Sequence, residues 1–204
     1  MLRNGVGPRA LDRFGSDVGA SSSVGALLIY EGINDIRASD SSSNDKRESS
    51  SSSSNEDDDD IPSNEDDDDH NNDKRDPDSD PGPNTTNNTA SALIRAYTSL
   101  LDRARAHDVP RVFIATLAPF RGTEGWNDAQ EAARQRVNRW IRRNEAGFDA
   151  VVDFDAVLRG RGMSTAGSAQ ALRPAFSSDK LHPNVAGYEA MAHAVAEEAF
   201  GLGW

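Results

Sequence analysis

The sequence predicts an α/β fold built on a parallel sheet covered by helices on both faces. Two observations carry that reading. Short continuous apolar runs alternate with amphipathic stretches of helical period, the pattern of strands and crossover helices. The polar residues with chemical potential lie directly after the first apolar run and directly before the last helical stretch. Open parallel sheets place their sites beyond the carboxyl ends of their strands.

The elements follow in order. Pro8 can open a helix, in which Leu11, Phe14 and Val18 recur at helical spacing. VGALLIY, from Val24 to Tyr30, is a continuous apolar run, as a buried parallel strand requires. Leu93, Ile94, Tyr97, Leu100, Leu101 and Ala104 mark one face of a second helix. RVFIATL, from Arg111 to Leu117, is a second strand. Ala129, Ala133, Val137, Trp140 and Ile141 mark a third helix, and AVVDF from Ala150 to Phe154 a third strand. Asn184 suits the N-cap of a last helix, with Val185, Tyr188, Met191, Val195 and Ala199 expected to face inward.

Between the first strand and the second helix lies a different kind of sequence. Residues 38–90 are dominated by Ser, Asn and Asp, and Ile61 is the one aliphatic residue between Ser39 and Thr89. Such a segment cannot bury enough apolar surface to offset an ordering cost of roughly 1–2 kcal/mol per residue. It is expected to be a disordered acidic insertion into a domain formed by residues 1–37 and 91–204. It repeats itself: SNEDDDD occurs at Ser54 and at Ser63, and NDKR at Asn44 and at Asn72. Closure entropy grows slowly with loop length, so growth by duplication is tolerated there. The acidic runs lack the alternating ligands, central glycine and closing glutamate of a calcium loop. Asn84-Thr85-Thr86 and Asn87-Asn88-Thr89 match the glycosylation sequon, a pattern that arises easily in such composition.

The net charge of −12 comes from this insertion. Ala38 to Ala92 holds 17 acidic and 4 basic residues, and the remainder 17 acidic and 18 basic. A near-neutral folded part offers no basic groove for nucleic acid. The absence of cysteine excludes disulfides and cysteine nucleophiles. No apolar run is long enough to span a membrane. MLRNGVGPRALDRF shows no apolar core of a secretory signal.

Two polar clusters remain. Glu31-Gly32-Ile33-Asn34-Asp35-Ile36 follows the first strand, and Ser178-Asp179-Lys180-Leu181-His182-Pro183-Asn184 precedes the last helix. A carboxylate three positions before a histidine can accept a bond from one imidazole nitrogen, fix the tautomer and leave the other nitrogen as a general base. Asn34 offers an amide donor at a strand end. That suits a developing oxyanion, where one donor is worth roughly 3–4 kcal/mol in well-studied cases. Gly32 lets the backbone turn tightly, and Asp35 supports the same turn. Each cluster also has a plain origin: Asn and Asp are common turn residues, and Asp-x-x-His fits a loop contact beside a helix cap.

Taken together and in this order, the clusters resemble the SGNH (GDSL-type) serine esterases, among them those that read EGINDI after a strand. Leu2 to Val18, Leu27 to Ile36 and Ala90 to Gly201 are similar to that family. The resemblance implies a flavodoxin-like three-layer α/β/α hydrolase. It implies Asn34 as an oxyanion donor and Asp179 and His182 as triad members. Hydrolysis of acetyl or short acyl esters, often on carbohydrates, would proceed through an acyl-enzyme, with no metal or organic cofactor. The expected partner is a small-molecule or carbohydrate ester, and the expected state a monomer. Relatives are often secreted.

The family's Gly-Asp-Ser nucleophile block and second, glycine-bearing block both precede the stretch matching Leu2 to Gly5. The sequence reading is therefore of an N-terminally truncated domain. Its missing strand would lie beside Val24 to Tyr30 in the middle of a five-stranded sheet. Gly15-Ser16-Asp17 has the wrong order and falls within a helix, so Ser16 is not expected to be the nucleophile. His107, at a helix end where a cation suits the dipole, His193 on the last helix and His70 in the insertion show no catalytic partner. Two other functional classes stay open: a non-catalytic pseudoenzyme that keeps the cleft, and an acidic interaction protein in which the insertion is the working part.

Overall fold

The computed structural model describes residues 1–2, 8–20, 23–39, 85–159 and 171–202. The sequence expectations for residues 40–84 and for His70 lie outside them.

Three parallel strands form the sheet: β1 (Leu27–Ile29), β2 (Val112–Ala115) and β3 (Ala150–Val152), in the order β1-β2-β3. Leu28 pairs with Phe113, and Ile114 with Val151. Strand periodicity divides the core. Leu27, Ile29, Val112 and Ile114 point to one face, whereas Ala115 and Val152 point to the other. The first face is covered by α1 (Ala10–Phe14), α2 (Ile33–Arg37), α3 (Thr85–Ala106) and α4 (Asp128–Arg143). The second is covered by α5 (Phe154–Arg159) and α6 (Val185–Phe200). The sheet is thus flanked by helices on both sides, as the sequence predicted.

Among the described residues β1 pairs with β2 alone, which leaves it at the sheet edge with Leu28 and Tyr30 partly exposed. Beside it, α1 continues as a π-helical turn over Gly15–Gly19. Pro8 lies ahead of the N-cap Arg9 rather than inside the helix, because Arg9 still has extended ψ. Ser16 sits in the π-helical turn, donates to the Arg13 carbonyl at 2.7 Å and is not among the residues that line the cleft of Asn34 and His182. His107 packs against the ring of Phe14, and His193 is exposed on α6.

Two boundaries differ from the sequence reading. α3 begins at Thr85, earlier than residue 91, because continuing the helix buries Ala90 completely. Ala38 and Ser39 belong with α2: the buried Ser39 hydroxyl donates to the Ile36 carbonyl.

The inward face of α6 also differs. Val185 and Tyr188 are 75% and 57% exposed, while Gly187, Met191 and Ala194 are buried. The helix is rotated because Gly187 lies against the Phe176 backbone: a Cβ there would come within 2.7 Å of the Phe176 carbonyl oxygen. The cap itself is as predicted, with Asn184 Oδ1 accepting from Gly187 N–H at 3.1 Å.

Candidate active site

The chain after β1 must turn sharply to start α2. Gly32 makes the turn at φ 115°, and a Cβ at that position would meet the Tyr97 hydroxyl at 2.8 Å. Only glycine combines that backbone with that contact. Tyr97 in turn donates to the Glu31 carbonyl at 2.5 Å, tying α3 to the turn. Burial pushes the Tyr97 phenol well above its ordinary range, with Asp35 and Glu31 adding to the effect.

The next two residues face opposite ways. Asn34 is exposed, and its side chain bonds nothing among the described residues. Asp35 is buried and accepts from the Met1 ammonium at 2.7 Å and the Leu2 amide at 2.8 Å. Asp35 therefore holds the start of the chain against the turn and has no part in the cleft.

The second cluster folds around one carboxylate. Asp179 Oδ1 accepts from the backbone of His182 at 2.8 Å and of Leu181 at 2.9 Å, and from the Ser177 hydroxyl at 3.2 Å. Its Oδ2 lies 2.6 Å from His182 Nδ1. The turn places Lys180 at φ 65°, a left-handed conformation rare outside glycine and asparagine. The imidazole bond, followed by those backbone amides, holds the Asp179 carboxyl well below the usual carboxylate range. With the proton on Nδ1, Nε2 is left available as a base. The pair is open to water, with side-chain exposures of 73% for His182 and 52% for Asp179.

Asn34 and His182 line the same cleft, about 250 Å³ in volume, together with Gly32, Leu117, Tyr30 and Tyr188. Gly32 and Tyr30 come from the end of β1, Leu117 from the end of β2, and His182 and Tyr188 from the α6 approach. The cleft thus lies at the carboxyl ends of the strands, where the sequence placed it. Two of its walls, Tyr30 and Tyr188, were not singled out by sequence reasoning. Tyr30 was read as the last residue of an apolar strand and Tyr188 as an inward face of α6. No serine is among the described residues that line it.

Beneath the cleft the ends of β2 and β3 are fastened by a buried polar network. Arg134, fully buried, bonds Glu131 through two nitrogens at 2.9 and 2.6 Å, Asp155 at 2.7 Å and the Leu117 carbonyl at 2.9 Å. Burial opposes the charge on Arg134, but Glu131 and Asp155 more than offset it and raise its pKa. Arg142 continues the network to Asp153 and Asp155, and Thr116 joins Asp153 to the Asp155 amide. Sequence reasoning missed this network.

A family model for GDSL-like lipases and acylhydrolases matches residues 3–190. A candidate acylhydrolase from Bacteroides fragilis superposes with a TM-score of 0.52 at 19% identity, over 92% of this chain and 66% of that one. A GDSL-like lipase from Bacteroides thetaiotaomicron superposes with a TM-score of 0.54 at 18% identity, over 92% of this chain and 67% of that one. This chain therefore spans about two thirds of the length of those structures, and the likeness is one of fold. No curated protein matches the sequence. The extent of the family match settles the assignment: the chain belongs to the GDSL-like lipase/acylhydrolase family.

Proposed function

We infer that the cleft is the base and oxyanion-donor part of a centre for hydrolysing short acyl esters. One observation carries this reading: a histidine held by a carboxylate and an uncommitted asparagine amide share one small cleft at the strand ends. In this reading Asp179 fixes the His182 tautomer, and Nε2 of His182 takes the proton of the attacking hydroxyl and returns it to the leaving alcohol. Asn34 donates to the carbonyl oxygen as it becomes an oxyanion. About 250 Å³ lies below the usual range of drug-sized sites, which favours a short acyl group over a long one.

The nucleophile is the part that the described cleft does not supply. The family uses the serine of a Gly-Asp-Ser block, and the sequence of residues 1–204 contains no Gly-Asp-Ser. On this reading the chain by itself forms no acyl-enzyme. Losing the nucleophile removes nearly the whole triad effect. That same observation favours a second reading, in which the chain binds esters without turning them over.

Phenyl acetate followed by NMR tests the site. Saturable shifts of the His182 ring and the Asn34 side-chain amide are expected, and lost or weakened shifts in His182→Ala. Binding that leaves both residues undisturbed would overturn the reading. A fluorophosphonate probe then separates the two classes. Stable one-to-one labelling would mean that the chain has its own serine nucleophile.

A further inference from the structure

The cleft holds a polar group that the esterase reading does not use. Tyr30 ends β1 and lines the cleft that Asn34 and His182 share. Its ring is fixed edge-on against the buried Phe154, with centroids 5.0 Å apart at 86°. Its phenolic hydroxyl has one proton to donate. Among the described residues no acceptor takes it, in contrast to Tyr97, whose proton goes to the Glu31 carbonyl. A hydroxyl in a small cleft with its proton uncommitted is poised to donate to a ligand.

The surroundings keep it a donor. Burial, offset in part by the Ala118 amide and reinforced by the neighbouring Tyr188, pushes the phenol up to about 12. Leu117, which lines the same cleft, has its N–H and C=O both bound by Asn138 at 2.8 and 2.9 Å, and its carbonyl also by Arg134, so this wall is held by buried side chains of α4.

We propose that Tyr30 is a substrate-binding residue of this cleft, donating its hydroxyl proton to an oxygen of the bound ester from the wall formed by the end of β1. The proposal rests on the ester-binding reading of the cleft and adds to it a specificity element. A ligand with an oxygen in reach of Tyr30 is held better than one of the same shape without it.

The experiment compares phenyl acetate with isobutylbenzene, in which carbon groups replace both ester oxygens, on the full chain and on Tyr30→Phe. Loss of one neutral hydrogen bond weakens phenyl acetate about three- to tenfold and leaves isobutylbenzene within about twofold. An unchanged affinity for phenyl acetate, or equal weakening of both ligands, overturns the proposal. If His182 and Asn34 still respond to phenyl acetate in that case, the Tyr30 proposal alone falls. If wild-type chain shows no response there, the esterase reading falls and takes this proposal with it. Should Tyr30→Phe fail to fold, the ring resonances of Tyr30 in the wild-type chain decide. The Cζ signal must move with phenyl acetate and stay put with isobutylbenzene, and any other pattern rejects the proposal.

Discussion

Asn138 binds both backbone groups of Leu117: its Oδ1 accepts from the N–H at 2.8 Å and its Nδ2 donates to the carbonyl at 2.9 Å. Leu117 sits where β2 has ended and the sheet ladder no longer satisfies the chain, and it lines the cleft. Asn138 therefore replaces a neighbouring strand at that point. Asn138→Ala leaves a buried N–H without a partner and opens a small cavity, while the carbonyl keeps Arg134. The expected cost is about 2–4 kcal/mol of folding stability, measured by urea unfolding. A loss under about 0.5 kcal/mol, the usual scale for surface sites, would mean that the side chain is not held as described.

Arg134 is a stronger case. It is fully buried and neutralises Glu131 and Asp155. Arg134→Met preserves most of the volume but strands two carboxylates, although Arg142 still reaches Asp155 at 2.5 Å. Breaking a buried pair in this way typically costs about 3–5 kcal/mol. Adding Glu131→Gln should recover part of the loss, since it removes one stranded charge. Equal stability of the single and double variants would show that Glu131 is hydrated rather than buried.

Gly32→Ala tests the turn that presents Asn34. The substitution forces a side chain into φ 115° and drives a methyl group to 2.8 Å from the Tyr97 hydroxyl. Backbone strain of this kind costs about 1–3 kcal/mol before the clash is counted. Tyr97 must also give up its bond to Glu31. We expect a loss of at least about 2 kcal/mol in stability, and weaker phenyl acetate binding because Asn34 shifts. A variant as stable as wild type would require the turn to have another conformation.

What was legible in the sequence follows from these same residues. The apolar runs of β1, β2 and β3 and the N-cap of α6 are local signals, and each fell within its predicted segment. The spacing of Asp179 and His182 was enough to anticipate their bond, because a single turn of loop fixes it. The helix-α4 polar stripe was not legible. Gln130, Arg134 and Asn138 are one turn apart and carry no apolar signal, yet all are buried. Their partners, Leu117, Asp155 and the Arg37 carbonyl, lie far off in the chain. The α6 face was misjudged for a related reason. Gly187 carries no hydrophobic signal, so nothing local announced that the helix would turn its glycine inward and leave Tyr188 to the cleft.

The last prediction concerns the proton on His182. Asp179 offers Oδ2 to Nδ1 and Oδ1 to two backbone amides. Asp179→Asn can keep the Oδ1 bonds but presents an NH₂ to the ring. The imidazole must then accept at Nδ1 and carry its proton on Nε2, which removes the base from the cleft. Ring ¹⁵N shifts of the neutral histidine should thus exchange roles between wild type and variant. The carboxyl itself gives a second check. Its pKa is depressed in the folded chain, so the stabilising interaction is present above the unfolded value of about 3.9 and is lost as pH falls through the lower folded value. The ¹³C signal of the Asp179 carboxyl should therefore pass pH 4 without a midpoint and begin to move only in stronger acid. A midpoint near 4, or the same histidine tautomer in both proteins, would mean that the 2.6 Å contact does not govern the imidazole.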